Sequence, residues 1–307
     1  MYSALRDLRP LKPLLSVVYC DTGVEIPVMR DHVRRTLRLL RKEAQEDGLN
    51  IRIKIAQPTL SDRYFVKVIG RGYPPPTNKF RWCTDRLRIL PIQNFLKATG
   101  SSDATVVIGT RLGESVSRDR ILANHRMTSG GFFFKQAGLP HTRLFAPIVD
   151  FELTEVWRVL QQIKSPVSVD GPRILSLYKD AGAECPVVRD EHGPPCGSGR
   201  FGCWTCTVVR KDKAITHMVS HGHDELAPLL EFRNWLAVMR DDPVNRCRQR
   251  RNGVKGLGPL TLDARREVLS KLKRTQAESG LSLISDREIR AIKSLWFTDR
   301  KSAHYHE

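Results

Sequence analysis

The sequence predicts an α/β protein: a parallel-sheet core over residues 1–165, then a mostly helical, cysteine-bearing part over residues 166–307. Three observations predict it. Short apolar, β-branched runs alternate with amphipathic helical patterns through the first half, as they do where strands are joined by helical crossovers. A Pro/Gly/Cys-rich stretch with little periodicity follows and runs to Cys206. Beyond it the apolar spacing is helical almost throughout.

In chain order, LLSVVYC (Leu14–Cys20) reads as a buried strand. Pro27, suited to a first helical turn, opens a helix to about Asp47. Met29, Val33, Leu37, Leu40 and Ala44 share one face of it, and Gly48 ends it. IRIKIAQ alternates and reads as the next strand, and DRLRILPIQNFLKAT as a helix bent at Pro91. ATVVIGT (Ala104–Thr110) and LFAPIVD (Leu144–Asp150) read as further buried strands, with LTEVWRVLQQIK a helix after them. Three helices close the chain: ELAPLLEFRNWLAVM, LDARREVLSKLKRT and REIRAIKSLW, the last opened by a capping box of Ser285 and Glu288.

The charge balance is lopsided, with 51 Lys and Arg against 33 Asp and Glu and a formal net charge of +18. Such a surface attracts polyanions, chiefly nucleic acid. The cations also cluster, as in RCRQRRNGVKG, which makes Arg248, Arg250, Arg251 and Lys255 candidate backbone contacts. No apolar run is long enough to cross a bilayer, and no signal-peptide cleavage site follows the first apolar run. The expectation is a cytoplasmic protein with no membrane partner. Seven cysteines, an odd number, point to free thiols or metal ligands rather than a disulfide framework.

Four of the seven lie in CPVVRDEHGPPCGSGRFGCWTC: Cys185, Cys196, Cys203 and Cys206, spaced C-x10-C-x6-C-x2-C. The final C-x-x-C brings two sulfurs to one centre, the Gly/Pro-rich lead-in lets the others fold back, and Gly202 suits a tight turn. Zinc and an iron–sulfur cluster both take four thiolates, and the spacing leaves both open. Unligated buried thiols are the alternative. A thioredoxin-like pair is disfavoured because no βαβ helix starts at this C-x-x-C.

Three loops follow predicted strands, where open α/β sheets bind ligands. In CDTGVEIP, Asp21 and Thr22 could hydrogen-bond a ribose or an amine, although a turn and helix cap would use the same residues. In GTRLGESVSR, which starts at Gly109, Arg111 and Arg118 could clamp phosphates while Glu114 orients Arg111. GRGYPPPTNKFRWCTDRLRILP (Gly70–Pro91) mixes Arg71, Lys79 and Arg81 with aromatic rings and could stack on a base while contacting a backbone. There Cys83 lies beside Arg81, Arg86 and Arg88, which would lower its thiol pKa, and a buried structural thiol is the alternative.

Together these segments resemble the PAPS-reductase-like branch of the ATP pyrophosphatase superfamily. VVYCDTGVEIP resembles its DTG-x-E-x-P signature, CTDRLRILP its Cys-then-basic-then-Pro segment, GTRLGESVSR its G-x-R-x-x-E-S…R loop, and PIVDFELTEVW the segment before its substrate helix. Within that branch, IGRGYPPPTNKFRWCT and CGSGRFGCWTCTVVRKDK resemble the sulfurtransferases of bacterial DNA phosphorothioation, in the Dnd system and the related Ssp system. LLEFRNWL followed by RQRRNGVKGLGPLT does so too. The resemblance covers most of residues 14–275.

The resemblance implies an adenine-nucleotide alpha-hydrolase-like (PP-loop) core that splits ATP, with Mg, to AMP and pyrophosphate. It implies activation of a DNA backbone phosphate and replacement of a non-bridging oxygen by sulfur. The implied partners are DNA, a cysteine desulfurase and other phosphorothioation-system proteins. It also implies a 4Fe-4S cluster on Cys185, Cys196, Cys203 and Cys206, catalytic roles for Asp21, Arg111, Glu114 and Cys83, and nucleotide binding by Asp21, Thr22, Gly109, Arg111 and Arg118. One departure stands out: the S-G-G-x-D-S pyrophosphate loop and the strand before it have no counterpart. The expectation is a chain that starts late relative to a longer gene product, leaving LLSVVYC with an uncovered edge. A sulfonucleotide reductase, a tRNA thiolase and a non-catalytic metal-stapled DNA-binding module remain rival readings.

Overall fold

The structure, a computed structural model, describes residues 1–11, 14–99, 104–114, 116–127, 131–135, 142–162, 166–182 and 201–301. It is a mixed α/β protein whose small sheets contain parallel pairs. After α1 (Tyr2–Asp7), β1 (Leu15–Cys20) leads into α2 (Pro27–Glu46), which returns the chain so that β2 (Ile51–Ala56) pairs with β1 in parallel, Leu15 opposite Ile51 and Cys20 opposite Ala56. Pro27 occupies the first turn of α2, where its missing N–H costs nothing. Among the described residues β1 pairs with β2 alone, and none of its six residues is fully buried.

Between the two sheets the chain is helical but irregular. A π-turn at Val66–Gly70 comes first, then α3 (Trp82–Thr84), a second π-turn at Asp85–Ile89 and α4 (Leu90–Ala98), whose first turn takes Pro91. The carbonyls of Leu87 and Arg88, in that second π-turn, accept the Cys20 thiol at 3.3 and 3.7 Å and so tie the end of β1 to it.

The second sheet has the order β3 (Thr105–Val107), β5 (Arg143–Phe145), β4 (Phe133–Lys135), with β3 and β5 parallel and β4 antiparallel to β5. Both expected strands are shorter than their apolar runs. Pro147 has no N–H for a ladder, and the chain turns there, with the Val149 amide reaching the Ala146 carbonyl at 3.2 Å. Ala146, Val149 and Phe134 form this sheet's own small core. The strand Phe133–Lys135 was not expected. α5 (Val116–His125), α6 (Leu153–Gln162) and α7 (Gly171–Asp180) complete this part.

α8 (Lys213–Ser220), α9 (Ala227–Asp241), α10 (Leu262–Ser279) and α11 (Asp286–Lys301) follow the cysteine loop. The capping box of α11 forms: the Glu288 amide donates to Ser285 Oγ at 3.3 Å and the Ser285 amide to Glu288 Oε2 at 3.2 Å. The main core draws on both sides of residue 165, joining Phe65, Trp82 and Leu87 to Trp204, Ile215, Phe232 and Leu272.

One buried cation organises the loop after the C-x-x-C. Arg233, 1% exposed on α9, donates from Nε to the Cys206 carbonyl at 2.8 Å, from Nη1 to the Arg210 carbonyl at 3.1 Å, and from Nη2 to the Val209 carbonyl. Arg240, one helical turn pair further along, donates to the carbonyls of Pro76 and Thr207 at 2.9 and 3.0 Å. The buried Tyr64 hydroxyl donates to the Thr205 carbonyl at 3.3 Å. A loop with few ladder bonds of its own is thus hung by its carbonyls from side chains. Arg233→Met should lower unfolding free energy by about 3 kcal/mol in urea melts, because several buried carbonyls lose charge-assisted donors together. Arg233→Lys should recover only part, since one ammonium cannot replace the planar fork.

Candidate functional site

At the carboxyl end of β1 the chain makes a tight turn and meets the cysteine loop backbone to backbone. The Trp204 amide donates to the Val24 carbonyl at 2.9 Å, the Ile26 amide to the Gly202 carbonyl at 3.4 Å, and Glu25 faces Cys203 as an antiparallel bridge. Gly23 has φ +78°, which its missing Cβ permits. Gly202 has no such need: its φ is unexceptional and a Cβ there would touch nothing, so the tight-turn role expected of it is not required.

Asp21 is 1% exposed and fully engaged. Its Oδ1 accepts the Gly23 amide at 2.9 Å, and Oδ2 accepts Arg34 Nη2 at 2.9 Å and Gln57 Nε2 at 3.2 Å. Burial alone would raise its carboxyl, but these donors together outweigh that and hold it below the usual carboxylate range. The turn use of this residue is therefore realised, and its carboxylate is kept ionised beside a cavity. Thr22 is buried as well, its Oγ1 3.7 Å from Cys203 Sγ.

Cys203 is pushed up to about 11, by burial first and also by Cys206 and Glu25, against Arg88 and Thr22. Cys83 is raised by burial and then by Cys206. Of the two readings of Cys83, this direction favours the buried thiol: the arginines adjacent in sequence do not outweigh its desolvation. The Tyr64 hydroxyl is raised by burial and feels Cys83, Cys206 and Cys203 together, so the three thiols share one neighbourhood under that ring. Between Cys203 and Cys206, the buried Thr205 Oγ1 has no hydrogen-bond partner. Among the described residues no three His, Cys, Asp or Glu side chains are grouped closely enough to hold a metal ion. Cys185 and Cys196 lie outside the described residues.

A cavity of about 280 Å³ opens beside Asp21 and Thr22, lined also by Arg30, Arg34, Gln57, Arg63 and Glu288. Arg63 reaches Glu288 at 3.3 Å, which ties α11 to its rim. Burial raises the Glu25 carboxyl against the pull of Arg88, Arg30 and Arg34. Arg88 favours the anionic forms of Cys20, Glu25 and Cys203 alike, so its charge reaches both loops.

The loop that starts at Gly109 makes its own set of contacts. Its Leu112 amide donates to the Val149 carbonyl at 2.8 Å, Arg111 Nη1 to the Leu112 carbonyl at 3.3 Å, and the Gly113 amide to Asp119 at 3.2 Å. Glu114 adds to the burial that raises the Tyr178 hydroxyl, and the Tyr178 ring meets Phe201, two residues before Cys203, at 5.0 Å. Gly109 is open on all sides but for Ile148. Arg118 falls within α5, but its side chain is not among those described.

The expected nucleic-acid contacts come together. Residues 246–260 form a hairpin, with Arg246 opposite Leu260 and Gln249 opposite Lys255. A Cβ on Gly258 would collide with the Gln249 carbonyl, so the two arms close only over glycine. The hairpin docks on the Gly70–Arg81 loop: the Leu260 amide donates to the Gly72 carbonyl at 2.7 Å, and Arg251 donates to the Arg71 carbonyl while its guanidinium lies 5.2 Å over the Tyr73 ring. Arg71, Lys79, Arg81, Arg248, Arg250, Arg251 and Lys255 are all exposed on this face.

No protein-family model matches the chain. It is 22% identical over 209 residues to an uncharacterized protein of Methanocaldococcus jannaschii, covering 68% of this chain and 34% of that one. The chain thus spans about a third of the length of that relative.

Arg34, Gln57 and Arg63 were not singled out in the sequence, and Arg88 was named only as a neighbour of Cys83. Of the first three only Arg34 carried a signal, about two turns along the helix that follows the DTG turn. Because the folded Asp21 pKa lies below its ordinary value, the stability it contributes is fully present above about pH 4 and is lost as pH falls below that. Asp21→Asn should flatten the fall in urea midpoint between about pH 5 and about pH 3 relative to the parent chain.

Proposed function

We propose that the protein is a sulfurtransferase of the DNA phosphorothioation type on a PP-loop ATP pyrophosphatase-like fold, using ATP to activate a backbone phosphate for sulfur insertion. The observation that carries this reading is the backbone pairing of the Asp21–Ile26 turn with the Gly202–Trp204 loop. It joins a strand-end site of the kind that binds ligands in α/β sheets to a buried C-x-x-C. The exposed cations around Arg71 and Arg251 support a polyanionic substrate.

The chemistry asks three things of the chain. A phosphate oxygen leaves poorly, so it must first attack the ATP α-phosphorus, expel pyrophosphate and become joined to AMP through a phosphoanhydride. Cations must then stabilise the departing pyrophosphate, and Arg30, Arg34 and Arg63 line the cavity beside Asp21. Its volume of about 280 Å³ and its three arginines suit the charged phosphate end of a nucleotide. Sulfur arrives from a cysteine desulfurase as a persulfide, whose terminal sulfur attacks the activated phosphorus as AMP leaves; a thiol reductant then cleaves the S–S bond, leaving a disulfide and the phosphorothioate. Arg111 and Glu114 would position substrate from the adjoining loop.

An iron–sulfur cluster on Cys203 and Cys206, with Cys185 and Cys196, would supply bridging sulfide and one-electron capacity; zinc on the same thiolates would supply structure alone. The buried, unpartnered Thr205 hydroxyl suits a bound sulfur-rich group, which would accept its proton. Cys83, within the same neighbourhood as Cys203 and Cys206, is a further thiolate available to it.

Anaerobic purification followed by iron and acid-labile sulfide assays should find both in near-stoichiometric amounts, and Cys203→Ser should lose them. Zinc without iron would instead favour a metal-stapled DNA-binding module. In cells carrying the whole modification system, labelled sulfur should enter DNA and not tRNA, with incorporation abolished by Asp21→Asn. Label in tRNA alone would overturn the DNA reading.

A further inference from the structure

An aromatic column links the basic face to the thiols. Phe80 stacks on Tyr73 with ring centroids 6.5 Å apart and planes 20° apart; Tyr73 meets Trp82 edge-on at 5.5 Å; Trp82 stacks on Tyr64 at 5.7 Å; Tyr64 meets Phe65 at 5.3 Å; and Phe65 meets Trp204 at 5.9 Å. The inner members are buried, Trp82 at 6% and Trp204 at 2% exposed. Phe80, at the outer end, is 46% exposed.

The tip is rigid. Phe80 closes a turn in which its amide donates to the Thr77 carbonyl at 3.2 Å and to Thr77 Oγ1 at 3.1 Å, while the Thr77 amide returns to the Phe80 carbonyl at 3.2 Å. Pro74, Pro75 and Pro76 restrict the chain before it, with the Pro74 carbonyl held by Trp82 Nε1 at 3.0 Å and the Pro76 carbonyl by Thr207 and Arg240. Tyr73 beneath it is gripped by two cations, Lys67 Nζ at 5.3 Å and the Arg251 guanidinium at 5.2 Å from its centroid. Lys79 and Arg81 flank Phe80, and Arg81 is braced by Asn78 at 2.8 Å.

A ring held rigidly with a free side, inside a rim of cations, is the arrangement that binds a base by stacking while the rim tracks its phosphates. In an intact duplex every internal base face is already covered, so such a ring can engage only a single-stranded or everted nucleotide. We propose that Phe80 is a stacking platform for an unstacked DNA base, with Lys79, Arg81, Arg71 and Arg251 holding the neighbouring phosphates. This rests on the DNA reading above and specifies its substrate as a strand opened at the reacting position. Two residues separate Phe80 from Cys83, so their Cα atoms are at most about 11 Å apart, and a base docked on Phe80 lies on the same loop as that thiol.

The test uses the full chain and fluorescence anisotropy with a 12-nucleotide single strand of DNA, the RNA of the same sequence, and a blunt DNA duplex. Phe80→Ala should weaken single-stranded DNA binding by roughly 5- to 150-fold and leave duplex binding within about twofold, with an unchanged melting temperature. Phe80→Trp should restore the affinity. Arg251→Ala should weaken both DNA forms and reduce the salt slope by about one. A parent chain that binds DNA while Phe80→Ala binds single strands equally well would overturn the platform and leave the DNA reading standing. A parent chain that binds no DNA would overturn both, and a Phe80 effect confined to RNA would overturn the assignment to DNA.

Discussion

The antiparallel contact between Val24–Ile26 and Gly202–Trp204 is the constraint on which the rest of the site depends. Two loops with almost no ladder bonds of their own satisfy part of each other's backbone. Trp204, fixed by that contact, sends its ring between Phe65 and Phe232 and so keys the loop into the main core. Arg233 and Tyr64 then hold the carbonyls that follow. Take away the pairing and Cys203 has no common frame with Asp21 and the cavity beside it, whatever becomes of the helices around them.

The site is electrostatically divided. On the strand-end side three donors keep Asp21 charged despite its burial, and on the loop side burial keeps Cys203 and Cys83 protonated. Any soft metal captured by these thiols must displace protons, so its affinity rises with pH. Arg88 is set between the halves and favours the anionic form of each group it faces.

What the sequence made legible were features written in local pattern. β1, α2, β2 and the C-terminal helices follow from apolar spacing, and Ser285 with Glu288 announced the start of α11. The π-turns around Ile69 and Leu87 have no such signature, because an extra residue per turn leaves composition unchanged. The strand Phe133–Lys135 is only three residues long and exists through pairing with Phe145. Asp21, Thr22 and the C-x-x-C were visible as residue types, but their meeting is a long-range fact. Arg233 was visible in principle: it interrupts the buried stripe of Leu229, Phe232, Leu236 and Met239, and a charge on that face needs partners. For Cys83 the sequence offered both adjacent cations and burial, and which of them prevails depends on packing that local pattern does not carry.

Nearly 180 residues separate the two loops that pair. During synthesis, at about 5–20 residues per second, the Asp21–Ile26 turn leaves the ribosome tens of seconds before the Arg233 that secures its partner. Through that interval β1 and β2 are a nascent two-stranded sheet whose strand-end turn lacks the Gly202–Trp204 backbone it will pair with. Such a pair is marginal by itself. The site is consequently assembled last, after the chain that frames it is nearly complete, and chaperone occupancy on the first sixty residues is the natural bridge across the delay.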